Sequence, residues 1–381
     1  MKKLISLLLA IVLVLGLCAC GSAGAADTKA TEPAAQFMVG YGRQDITPEE
    51  PVALMGYGRT DKRISTAYLD PLYFSCVAMR DAEGGTILMM SVDTIAGGFT
   101  KAIKDSISKA TGIPAQNITI TATHTHSGPD MDNTTLSYTA TYNAMYKEKA
   151  LKAAEDAVAD LKPAKMYYAT IETEGLNFVR HYKMLDGSYA GDNFGDFSIG
   201  IEDYATPVDP TMHLLKFTRE GGEDVIMMNW RAHASMTGGS TKTQISADFV
   251  GSVRMYLEEK LGCKFAYYQG CAGNINPRSR IEADTPTDKY KEFGQKLGSN
   301  KFISALQYGM MSTMSILMVG AFCQIIAAVG DMLGFIPADG ALYAAIMTPY
   351  NYTMGLIGVW VTGFIAFSYA KNLKLKNPLV H

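Results

Sequence analysis

The chain has 381 residues, with 34 lysines and arginines against 37 aspartates and glutamates, and a formal net charge of −3. That length allows two domains, and the near balance of charge supplies no basic field of the kind that draws nucleic acid, so no nucleic-acid partner is expected. The hydrophobic residues, 48% of the chain, concentrate at its two ends, and the sequence is therefore read in sections.

Lys2 and Lys3 precede an apolar run from Leu4 to Leu17, followed by Cys18, Ala19, Cys20 and Gly21. This is the layout of an export signal over residues 1–20. The small residue before Cys20 resembles the bacterial lipoprotein cleavage box. The resemblance implies cleavage before Cys20, lipidation of that cysteine and an extracytoplasmic domain anchored to the cell membrane. Residues 21–35, rich in Ala, Ser, Thr and Gly, read as a flexible tether. The spacing of Cys76, Cys263, Cys271 and Cys323 fits neither a zinc knuckle nor a disulfide framework, and they read as small buried apolar residues.

Residues 36–299 read as α/β, a layered sheet with flanking helices. Thr86–Val92 is a buried strand ending at Asp93. A helix is expected near 99–111, with Ala102, Ile103, Ile107 and Ala110 at helical spacing. The next strand runs through Ile118, Ile120 and Ala122, which share one face because side chains alternate along a strand. His124 and His126 continue that face where Ser127, Gly128 and Pro129 end the strand, so two imidazoles are expected to project together from one strand end. Further helices are expected at 142–161 and 247–262, and strands at 165–172, 212–218, 224–230 and 264–269. The apolar strands run into polar groups at their carboxyl ends: Asp93, His124 with His126, His233, and Asn274 with Asn276. Ligands of open α/β sheets bind at such ends, and neutral imidazole is the commonest protein ligand for zinc. Asp93 and Asp248 read as turn or cap residues rather than ligands.

The segments Thr123–Pro129, Asn229–Met236 and Gly270–Pro277 resemble, in order, the motifs of neutral/alkaline non-lysosomal ceramidases. Supporting matches are Asp45–Pro48, Met55–Gly58, Asn177–Arg180, Val208–Met212 and Ile245–Asp248. The resemblance implies a zinc-dependent hydrolase of an N-acyl lipid amide. By resemblance His124 and His233 are zinc ligands, and His126 and Arg180 line the site and stabilise charge developing on the substrate carbonyl. The chemistry is coherent: zinc polarises a carbonyl and acidifies water, preorganised donors stabilise an oxyanion, and an unreactive amide needs both. This sequence departs from the family in two places. Asn276 stands where the family pattern has a serine implicated in catalysis. A carboxamide cannot act as a serine-type nucleophile, so the expectation is that Asn276 donates to the oxyanion and attack is left to water. The family's other zinc ligands, a Glu and a Tyr, lie well downstream of this motif, whereas the family-like sequence here stops near Ser299, which implies an impaired enzyme.

From Phe302 to Ala370 the only charges are Asp331 and Asp339. Leu306–Val329 and Tyr350–Ala370 are each long enough to span a bilayer, with 331–349 a loop or partly inserted helix, so two or three transmembrane helices are expected over 300–381. Residues 296–302 and 309–320 resemble the start of the lactose/cellobiose-type permease subunit IIC of the sugar phosphotransferase system. Lysines before the first span and after the second place both flanks in the cytoplasm by the positive-inside rule, whereas the lipoprotein signal places 21–300 outside. The conflict points to a chimera joined near 297–301. A sugar-permease fragment and a non-catalytic binding lipoprotein are the alternative functions.

Overall fold

The computed structural model describes residues 36–58, 62–133, 135–277, 289–299, 318–353 and a few positions from 363 to 371. The export signal, Cys20 and the tether lie outside them. All that follows concerns the compact unit that begins at Gln36.

The order of elements repeats. The first half runs β1 (Met38–Asp45), β2 (Tyr73–Arg80), β3 (Thr86–Val92), α1 (Thr100–Thr111), β4 (Ile118–Ala122) and α2 (Tyr138–Ala159). The second runs β5 (Lys162–Glu172), β6 (Thr211–Arg219), β7 (Val225–Trp230), α3 (Asp248–Leu261), β8 (Lys264–Gln269) and α4 (Tyr290–Gly298). Pairing repeats too. In each half the first three strands are antiparallel neighbours, and the fourth lies parallel to the third across the intervening helix. The halves join into one ladder, β8-β7-β6-β5-β1-β2-β3-β4. Their seam is antiparallel and short, Met38 opposite Pro163 and Val39 opposite Lys162.

Strand alternation explains how this ladder is buried. Phe74, Cys76, Ala78, Leu88, Met90 and Val92 pack with Ile103 and Ile107 of α1 and with Tyr142 and Tyr146 of α2. Met212, Met228, Trp230, Phe265 and Tyr267 pack with Phe249, Val253 and Leu257 of α3 and Phe293 of α4. Residues of opposite parity form a third core: Val39, Tyr41 and Val77 from the first half meet Phe217, Val225, Met227, Ala266 and Tyr268 from the second. The ladder therefore folds back on itself, giving layers of helix, sheet, sheet and helix. Strands buried on both faces read as continuous apolar runs, as 86–92 does.

Polar pegs cross the inner core. The Tyr41 hydroxyl donates to the Phe265 carbonyl at 2.9 Å, the Tyr268 hydroxyl to the Met89 carbonyl at 2.9 Å, and the Ser91 hydroxyl to the Tyr267 carbonyl. Such bonds matter because a buried hydroxyl left unpaired costs about 1–3 kcal/mol. On the outer face of β1, α2 comes so close that a Cβ on Gly40 or Gly42 would stand 2.0 Å from the Ala157 carbonyl oxygen or 2.1 Å from that of Ala153. Glycine on the strand and alanine on the helix together permit this approach.

The helices expected near 99–111, 142–161 and 247–262 and the strands from 86 onward are found within a few residues of their predicted bounds. Two sequence expectations need correction. Cys76 and Cys263 are buried, but Cys271 is exposed and Cys323 only partly covered; Cys271 lies in a turn beyond β8, where no layer covers it. Among the described residues no helix is long and apolar enough to cross a membrane. Residues 318–332 are helical, and α5 (Ala341–Thr353), with Pro349 inside it, occupies most of the second part of 331–349, for which a loop or a partly inserted helix was expected. The expected transmembrane helices, and membrane attachment through them, are not found among the described residues; residues 306–317, 354–362, 365, 369 and 370 of the two expected spans lie outside them.

Candidate functional site

The site assembles on connections that follow parallel strands of both halves. β4 ends at Ala122, two residues before the first histidine, so the alternation of the strand does not carry the imidazoles as expected. His124 instead takes a left-handed backbone, φ 64°, a conformation that a non-glycine residue holds only when its surroundings enforce it. They do so through two backbone bonds: His124 N donates to the Thr94 carbonyl at 3.0 Å, and His126 N to the Ala234 carbonyl at 2.9 Å. The second bond ties the first half's histidine turn to the loop after β7. In that loop His233 N donates to the Ile275 carbonyl at 2.9 Å, which fixes the loop against the turn after β8.

These ties bring three imidazoles together. Ring centroids are 4.8 Å apart for His124 and His233, and 5.2 Å for His124 with His126 and for His126 with His233. One ring nitrogen from each lies within 4.8 Å of the others. His124 Nδ1 contacts the Ile95 carbonyl at 2.7 Å, and His233 Nδ1 contacts the Ala272 carbonyl at 2.7 Å and that of Ile275 at 3.2 Å. A carbonyl only accepts, so both Nδ1 atoms carry the proton and both Nε2 lone pairs remain for a ligand, the usual arrangement of a metal-binding histidine. Both ring nitrogens of His126 are buried without a partner. Burial, then the neighbouring His233 and His124, then Arg63 and Arg180, push the His126 pKa down to about 3. Burial followed by Arg180 and His124 also lowers that of His233. These two imidazoles are thus held neutral, the form that coordinates metal. Gly56, at φ 126°, lies against His126; a Cβ there would sit 2.5 Å from its Cα and Cβ and 2.6 Å from its ring carbon Cγ, so no other residue fits beside it.

Phe178–Val179 pairs antiparallel with Ile275–Asn276; Arg180 directly follows the first of these strands and acts electrostatically on His126 and His233, and Asn276 ends the second. Arg180 Nη2 donates to the Gly273 carbonyl at 2.8 Å, and Nη1 meets Asp192 at 3.2 Å. Asn276 Oδ1 is buried and unpartnered. Asp93 accepts from Tyr73 N at 2.9 Å and pairs with Arg254 of α3 at 2.8 Å, so its carboxylate serves a buried ion pair between elements and not the turn or cap expected of it. Asp248 opens α3. The sequence reading missed Arg63. Its Nη2 donates to the His126 carbonyl at 2.8 Å and its Nη1 to that of Met55 at 3.2 Å. It follows the Met55–Gly58 motif by only a few residues, but nothing local distinguishes it from a surface arginine. The orphaned ring nitrogens of His126, with the two free Nε2 positions, fit a metal ion such as zinc.

A model of the family described as neutral/alkaline non-lysosomal ceramidase, N-terminal, matches residues 37–332. The neutral ceramidase of Pseudomonas aeruginosa is 25% identical over 292 residues, which cover 71% of this chain and 42% of that protein. A solved structure titled ceramidase complexed with C2 superposes with a TM-score of 0.56 at 21% identity, covering 70% of this chain and 43% of that one. The crystal structure of the P. aeruginosa neutral ceramidase gives 0.55 at 21%, covering 70% and 44%. This chain thus spans under half the length of the ceramidases it matches. Separately, the lactose-specific EIICB component of the phosphotransferase system of Streptococcus mutans is 35% identical over 86 residues, which cover 23% of this chain and 15% of that protein.

Proposed function

Because this chain belongs to the neutral/alkaline non-lysosomal ceramidase family, we propose that its histidine cluster is the metal centre of a zinc-dependent hydrolase that cleaves the amide bond of an N-acyl lipid. The observation that carries this reading is the convergence of three imidazole nitrogens within 4.8 Å, with two Nδ1 protons fixed by backbone carbonyls. His124 and His233 would hold the ion through Nε2. When bound, zinc would polarise the amide carbonyl and acidify water. His126, neutral and beside both ligands, would complete the donor set or face the substrate carbonyl. Arg180, anchored by Gly273 and Asp192, would bring positive charge to the same wall. Asn276 would turn its carboxamide toward the developing oxyanion, a preorganised donor of the kind that lowers such barriers by a few kcal/mol.

The test is zinc content of the purified chain together with hydrolysis of a labelled N-acyl lipid. Bound zinc with release of fatty acid is the expected result, and a chain that neither binds zinc nor turns over retains kinship of fold alone. Zinc without turnover favours a binding lipoprotein. Replacing Asn276 with Ala leaves turnover unchanged only if it has no part in the oxyanion site. The 35% identity to a phosphotransferase component supports a second reading, a fusion with a sugar-permease fragment. Amplification of the source DNA across codons 290–310 tests it, and failure to recover the junction would show that the two parts are not one gene.

A further inference from the structure

We propose that Asp248 is a positioning residue that sets the distance between the His126 turn and the His233 loop, an inference that rests on the metal-site reading above. Its backbone is left-handed, φ 61°, one of three non-glycine residues in that state among those described, His124 being another. Its side chain is wholly buried, so both its conformation and its desolvation carry a cost that its bonds must offset.

Those bonds are divided unequally. Oδ1 accepts from Phe249 N at 2.8 Å, a contact within its own helix start. Oδ2 faces the other way and accepts from both Thr237 N, at 2.6 Å, and Thr237 Oγ1, at 2.7 Å. A simple cap would direct its oxygens to its own helix. Thr237 has one hydroxyl proton, and the carboxylate takes it. Thr237 Oγ1 also lies 2.9 Å from Ser127 Oγ, and Ser127 Oγ donates to the Thr237 carbonyl at 3.2 Å, so the two residues are held together by two contacts. Ser127 Oγ in turn accepts from Arg63 Nη2 at 3.3 Å, and the same nitrogen holds the His126 carbonyl at 2.8 Å. A carboxylate and a guanidinium are thus joined through the buried hydroxyls of Thr237 and Ser127. The relay passes from the residue after His126 to the loop that carries His233.

Groups behind metal ligands typically change metal affinity by about 10–100-fold when removed. Asp248→Gly accepts the left-handed backbone without strain and deletes the CH2–carboxylate side chain. Thr237→Val breaks the relay while keeping side-chain shape, and Thr237→Ser preserves it. Each full-length variant is measured for zinc affinity by chelator competition and for thermal midpoint without metal. Asp248→Gly and Thr237→Val are expected to weaken zinc by about 10–100-fold, while Thr237→Ser keeps the parent affinity. Parent affinity in a folded Asp248→Gly, or an equal loss in Thr237→Ser and Thr237→Val, overturns the proposal. If Asp248→Gly does not fold, the two Thr237 variants decide. A parent chain that binds no zinc overturns the metal-site reading itself and this inference with it, an outcome distinct from zinc binding that Asp248 does not influence.

Discussion

In the first half the parallel pair β3–β4 ends in Asp93 and in the turn that carries His124 and His126. In the second, β7–β8 ends in the His233 loop and in the turn that leads to Asn276. The positions after β3 and β7 are topological equivalents, yet Asp93 is committed to Arg254 and Tyr73 while His233 keeps a free ring nitrogen in the cluster. Packing differs as well. The first half lets β1 and α2 touch through Gly40, Gly42 and the alanines of α2, whereas the second fills the same kind of space with Trp230, Phe249 and Phe293. Pairing order is set by strand alternation and tolerates quite different side chains, so the connections are free to diverge. Neither half holds the site alone.

Four measurements bear on that comparison. The largest effect is expected where the halves are bolted together. Arg254→Met strands the buried Asp93 carboxylate and should lower unfolding free energy by about 3–5 kcal/mol, read from denaturant midpoints; a loss below 1 kcal/mol would mean that the pair is not a bolt. Next, if both halves supply metal ligands, His124→Ala and His233→Ala should each weaken zinc by more than ~100-fold, beyond what outer groups give. Isothermal titration with zinc checks this, and a loss confined to one variant would assign the metal to one half.

A third effect is pH-dependent. The folded pKa of His126, about 3, lies below its ordinary 6.5, so the unfolded chain binds the extra proton. Its contribution to stability is present above about 6.5 and is lost as pH falls through that window toward about 3. Denaturation of the metal-free chain across this range should show a steeper acid loss in the parent than in His126→Gln, and parallel curves would contradict the burial of that ring. The smallest effect is at the inner core: Tyr268→Phe deletes one bond between the halves and should cost about 0.5–1.5 kcal/mol, visible as a small shift in thermal midpoint.

Much of this could be read from residue order. The buried strands at 86–92, 224–230 and 264–269 and the helices at 99–111 and 247–262 announce themselves by apolar runs and helical spacing. Strands β1 and β2 do not, because Gly40, Gly42 and Ser75 dilute the pattern for packing reasons visible only with α2 and β8 in place. The repeat of the two halves was also hidden, since topology repeats while side chains do not. At the site, the histidines were legible as residues of a strand end. Their true setting, a turn with a left-handed His124, depends on backbone bonds to Thr94 and Ala234, which come from other elements. Arg63 and the Asp248 relay were illegible for the same reason: their partners lie far away in the chain.

The short seam between the halves has a consequence for how a metal would act on the whole molecule. Only two residue pairs continue the ladder across it, and His124 and His233 stand on opposite sides, 109 positions apart by their numbers. An ion held by both would close a very long loop, a contact that chain entropy makes slow to form and late to appear in folding. It would then act as a removable crosslink. At 100 times its dissociation constant it would add about 2.7 kcal/mol to the docked state, so free metal concentration would govern the lifetime of the assembled fold as well as its chemistry.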